Sequence, residues 1–66
     1  MKQVIYKNHT DDAFYMTSKQ NYDSYIQNAR AIKRLDGVKT SNDVFEFIEK
    51  ACAWWNMKET DFIVIL

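Results

Sequence analysis

The sequence predicts an α+β domain, a small β-sheet of the two terminal strands plus a hairpin strand packed on a two-helix hairpin, in the order ββααβ. Three observations lead there. Residues near the start alternate as an extended chain does, two central segments repeat apolar residues at helical spacing, and the sequence closes on five apolar residues in a row. With 66 residues and no Pro- or Gly-rich linker, a single domain over 1–66 is expected.

In residues 2–7, Lys2, Val4 and Tyr6 alternate with Gln3, Ile5 and Lys7, and Val, Ile and Tyr suit a pleated, half-buried surface. Asn8-His9-Thr10-Asp11-Asp12 gathers turn formers. Ala13-Phe14-Tyr15-Met16-Thr17 then reads as the return strand of a hairpin across a five-residue loop. Thr10 followed by two aspartates is also a helix-start pattern, so a short helix over 13–17 is the competing reading.

Between Asn21 and Leu35, Tyr22, Tyr25, Ile26, Ala29 and Ile32 recur at helical spacing and predict the first helix. Ser18 or Asn21 can accept hydrogen bonds from free N–H groups at its start. Asp23 in the first turn and Arg30, Lys33 and Arg34 in the last turns complement the helix dipole. Gly37, the single glycine, stands where a left-handed C-cap is wanted, with Val38 folding back onto the last turn.

Thr40-Ser41-Asn42-Asp43 offers several caps for a second helix running to about Asn56 or Met57. At 100° per residue, Val44, Ile48, Ala51 and Trp55 form the centre of its apolar face. Phe47 and Trp54 widen that face on one side, Phe45 and Cys52 on the other. The apolar arc covers roughly half the circumference, wider than the ~100° stripe a surface helix needs. Lys58-Glu59-Thr60-Asp61 connects to Phe62-Ile63-Val64-Ile65-Leu66, an apolar run of the kind found in strands buried on both faces. The terminal strands are expected to be neighbours. Two helices cover one face of such a sheet, leaving the outward residues of 62–66 for a second copy or a partner.

Size and charge narrow the function classes. A chain of 66 residues buries only ~60% of its unfolded surface, so small domains usually need a disulfide, a metal or a second copy. Cys52 is the only cysteine, which excludes an internal disulfide, and His9 with Cys52 falls short of a zinc ligand set. No metal and no cofactor are expected, and homodimerisation is. No stretch reaches the ~20 apolar residues of a membrane span, and the apolar part of 1–7 is too short for a secretory signal. With a lone cysteine, a cytoplasmic location is expected. Nine basic and nine acidic residues cancel, so net charge supports neither nucleic-acid binding nor nucleic-acid mimicry. Residue types with AT-rich codons number 29 against 8 with GC-rich codons, which suggests a bacterial or phage genome of low GC content.

Catalytic patterns are thin. His9, Asp11 and Asp12 could orient a proton-transfer group, yet they read better as a solvated turn. Cys52 lies between Phe45 and Trp55 on the apolar side of the second helix and reads as a packed hydrophobe. One glycine cannot build a phosphate loop. No enzymatic activity is expected. The expected activity is binding of another protein, as a regulator, inhibitor or accessory subunit. Its anchors would be Trp54, Phe45 and the outward side chains of 62–66, with Phe62 and Val64 among them, while Arg30, Lys33 and Arg34 orient the partner. The alternative is a dimeric nucleic-acid-binding regulator using that basic cluster.

Overall fold

The computed structural model describes residues 2–24 and 29–65. Its strands are β1 (Gln3–Asn8), β2 (Ala13–Ser18), β3 (Lys33–Arg34) and β4 (Phe62–Ile65), and its helices α1 (Lys19–Asp23) and α2 (Ser41–Trp55). Short 3₁₀ turns occupy Ala29–Ala31 and Glu59–Asp61. The α+β class and the ββααβ order of the main elements hold, with the two-residue β3 added.

The hairpin forms as its residues dictate. β1 and β2 pair antiparallel from Gln3 opposite Ser18 to Asn8 opposite Ala13, so residues 13–17 are strand and not helix. The loop is closed by side chains that imitate backbone turns: Asn8 Oδ1 accepts from Thr10 N–H (2.9 Å) and Asp11 Oδ1 from Ala13 N–H (3.3 Å). Asp12 takes the left-handed conformation (φ 56) that short polar side chains tolerate.

β4 lies beside β1, parallel to it, with Gln3 opposite Phe62 and Tyr6 opposite Ile65. The sheet order is β3-β2-β1-β4, which places β1 inside and β4 at an edge. Paired residues share a sheet face and neighbours along a strand alternate. Ile5, Phe14, Met16, Phe62 and Val64 therefore share one face, and α2 covers it: Val44, Ile48 and Ala51 join Ile5, Phe14, Leu35 and Phe62 in one core. Val4, Tyr6, Tyr15, Thr17, Ile63 and Ile65 share the other face. There Tyr22 of α1 packs on Tyr6 (centroids 5.4 Å apart), so the two helices lie on opposite faces and not as a pair on one. The buried Thr17 hydroxyl accepts from the Asn21 side-chain amide (2.8 Å) and donates to the Ala31 carbonyl (3.1 Å), tying α1 and the following turn to β2.

Among the described residues of 21–35, shorter elements stand in place of the expected helix. Ser18 caps α1 by accepting from Asn21 N–H (3.1 Å), but the helix ends after Asp23. Ser24 is extended, with its hydroxyl donating to the Gln20 carbonyl (2.9 Å), the kind of side-chain bond that competes with helix continuation. Tyr25 and Ile26 lie outside the described residues. Lys33 and Arg34 pair antiparallel with Met16 and Tyr15, because strand pairing offers the free edge of β2 a partner that local periodicity does not reveal. Gly37 is consequently not a helix cap. It sits third in the turn Leu35–Val38, closed by Val38 N–H to Leu35 O (3.4 Å), where φ of +80° suits glycine.

α2 follows its signals closely. Thr40 and Asp43 form a reciprocal capping box, and Asn56 ends the helix in the left-handed conformation (φ 53). Backbone N–H groups of Lys39 and Thr40 donate to the Asp43 carboxylate and hold it below the usual carboxylate range.

Thr17→Val should lower stability by about 1–3 kcal/mol in urea unfolding, since it leaves the Ala31 carbonyl and the Asn21 amide without their buried partner. Thr40→Ala should cost about 1 kcal/mol by losing the cap.

Candidate functional site

α2 positions the large exposed side chains. Its core stripe ends at Ala51, whereas the helix continues to Trp55. Trp55, expected at the centre of the core face, is 55% exposed because it lies beyond that last buried position, and it meets Phe47 edge-on at 6.4 Å. Trp54 is 74% exposed and Phe45 55%. Nine positions at 100° each put Phe45 and Trp54 on opposite flanks of the helix, so these two anchors do not form one patch.

β4 corrects a second expectation. Phe62, expected to face outward, is 8% exposed and belongs to the core, and Val64 packs partly against it. The pairing with β1 puts Ile63 and Ile65 on the opposite face, where Ile65 is 40% exposed. The apolar run is thus not buried on both faces among the described residues. Phe45, Phe62 and Val64 do come together: with Ile48, Glu49 and Glu59 they line a groove of about 370 Å³ between α2 and β4. Ile48, Glu49 and Glu59 were not read from sequence as site residues. The available signals were Glu49 one turn after Phe45 and Glu59 three residues before Phe62.

Cys52 is half-buried beside this region. Desolvation, then the carboxylates of Glu59 and Asp61, push its thiol above the ordinary value. The thiolate, which is the nucleophilic form, is therefore disfavoured.

The basic residues lie elsewhere. Arg30 is exposed in the 3₁₀ turn, and Lys33 and Arg34 are exposed on β3, the opposite sheet edge from β4. They do not complement a helix dipole. Arg34 and Lys39 instead share a concavity of about 360 Å³ with Asp11, Asp12 and Asp36, so carboxylates offset the positive charge that nucleic-acid contact would use.

The hairpin loop uses its own carboxylates. Asp12 pairs with Lys7 at 2.9 Å, and Asp11 accepts a hydrogen bond from the Tyr15 hydroxyl. That bond holds the Asp11 carboxyl below its ordinary range and pushes the Tyr15 phenol up. His9 is exposed beside them. Among the described residues, no three His, Cys, Asp or Glu side chains converge as metal ligands, and no helix is long and apolar enough to cross a membrane. Comparison with protein-family models, curated proteins and solved structures finds no match.

The Asp11–Tyr15 bond stabilises the fold between two limits. A lowered carboxyl pKa contributes stability that is present above the unfolded value of 3.8 and lost as pH falls through the folded value. A raised phenol pKa contributes stability that is present below 10.0 and lost as pH rises through the folded value. Tyr15→Phe should return the Asp11 carboxyl toward 3.8 in a carbon-13 NMR titration and reduce the alkaline loss of stability. Cys52 should react with iodoacetamide at pH 8 more slowly in the native chain than in the urea-unfolded one.

Proposed function

We propose that this chain acts by binding another protein through the exposed aromatic side chains of α2. The observation that carries the reading is the exposure of three large aromatics, Phe45, Trp54 and Trp55, on one 15-residue helix. Exposed aromatics flanking a well-packed core are the commonest energetic anchors of protein interfaces. The buried stripe of Val44, Ile48 and Ala51 does not include them, although Trp55 meets Phe47 edge-on.

The distribution of charge supports the same reading. Phe45 lies on the β4 side of α2 and Trp54 on the opposite flank, while the exposed basic residues Lys33 and Arg34 sit at the far edge of the sheet, Arg34 among carboxylates. The binding energy would therefore come from apolar burial, with charge left to orient the partner.

Photo-crosslinking in the native host tests this. A benzoylphenylalanine at position 45 or 54 should give discrete protein adducts, and the same group at exposed position 20 should give none. Identical adduct patterns from all three positions, or no adduct from 45 and 54, would overturn the proposal. With a partner so identified, Trp54→Ala should leave stability within about 0.5 kcal/mol. It should weaken binding about 30-fold or more, the size of a hot-spot loss of about 2 kcal/mol.

A further inference from the structure

The two edges of the sheet differ in a way that bears on how a partner is held. β3 closes one edge with two residues, both charged and exposed, which is how natural sheets discourage edge pairing. β4 forms the other edge with Phe62–Ile65, where no residue is charged and none is proline. Such a strand presents alternate unpaired N–H and C=O groups outward, a template for another strand.

The groove described above adjoins that edge. Its β4 walls are Phe62 and Val64, its α2 walls Phe45 and Ile48, and no β1 residue lines it. It therefore opens beyond β4 and not over the sheet interior. Its two charged lining residues are both acidic, Glu49 and Glu59, and neither carboxylate forms an ion pair among the described residues. The nearby Lys2 ammonium donates to the Thr60 carbonyl (3.2 Å) and does not line the groove.

We propose that the β4 edge and this groove bind an extended segment of a partner protein as a fifth strand, with an apolar side chain in the groove and, two residues along, a lysine or arginine at Glu49 and Glu59. This rests on the protein-binding reading above and gives the partner its chemistry. Residues two apart on a strand point to the same side, about 6.6–6.8 Å from one another, so one face of the incoming strand meets both the apolar walls and the carboxylates. A second copy of this chain suits the site less well. Its β4 supplies no cation to the two carboxylates, and the segment before it, Lys58-Glu59-Thr60-Asp61, carries two acids to one base.

The test uses the nitrogen-15-labelled chain and three synthetic seven-residue peptides with blocked ends. The first has the sequence TVTLTKT, the second carries glutamate for its lysine, and the third is the first with N-methyl groups on alternate residues. The first peptide should shift the amides of Phe62–Ile65 and bind at least fivefold more tightly than the second. That preference should fall below twofold in the Glu49→Gln/Glu59→Gln variant, whose melting temperature serves as the control for folding. The third, methylated in the phase that faces β4, should bind at least fivefold more weakly than the first. Equal binding of the first two peptides, or no shift with any, overturns the proposal. β4 amides that shift with chain concentration alone also overturn it, in favour of a second copy. Adducts from positions 45 and 54 that persist when the peptides fail would sink strand addition and leave the protein-binding reading standing. If those adducts are missing too, both readings fall.

Discussion

The pairing of β1 with β4 is the constraint on which the remaining architecture depends. It joins Gln3 to Phe62 and Tyr6 to Ile65 across nearly the whole sequence. Closing a loop of that length costs roughly 3.6 kcal/mol in chain entropy, taking about 60 residues in the (3/2)RT ln n relation. Parallel strands also need a crossover connection, since a tight hairpin can join only antiparallel ones. The connection here carries α2, and α2 brings Val44, Ile48 and Ala51 onto the face that Ile5 and Phe62 share. The contacts that offset the closure cost are thus made by the segment that closure requires. β1 gains most, with Val4 and Ile5 buried on opposite faces.

The second face is held by a different kind of interaction. Val4 and the Thr17 methyl supply apolar burial, but position depends on the Thr17 hydroxyl, whose donor and acceptor capacity is used by Ala31 and Asn21. A buried hydroxyl satisfied from two segments acts as a register pin, because displacing either segment leaves a polar group unpaired. Tyr6, Tyr15 and Tyr22 then pack around the outer part of that face, Tyr6 stacking on Tyr15 at 6.0 Å. The α2 face is held by apolar packing, while this one is fixed by directional bonds.

What the sequence disclosed follows from how local each signal is. The hairpin and α2 were legible because their turn formers and caps act over three or four residues: Asn8, Asp11, Thr40 and Asp43 make the bonds their types suggest. The segment from Asn21 to Leu35 was misread because helical spacing is a weak signal beside strand pairing, and nothing near Lys33 indicates that Met16 lies opposite it. In β4 every residue is apolar, so no alternation shows which side chains face the core. The phase comes only from the register with β1, which turns Phe62 inward and Ile65 outward. Phe45 was legible as a flank of the helix stripe, whereas the part played by Glu49 and Glu59 depends on the helix-to-strand distance, which no spacing encodes.

The unequal edges of the sheet carry a consequence for growth. Sheets that accept a strand at both edges are divalent monomers, and divalent monomers polymerise into open fibres. Among the described residues one edge is the short, charged pair Lys33 and Arg34 and the other is apolar, so strand addition is favoured at β4 over β3. With unlike edges, a strand added at β4 does not recreate the edge that accepted it, and an apolar edge that would propagate an open fibre in a symmetric sheet favours a single added strand in this one.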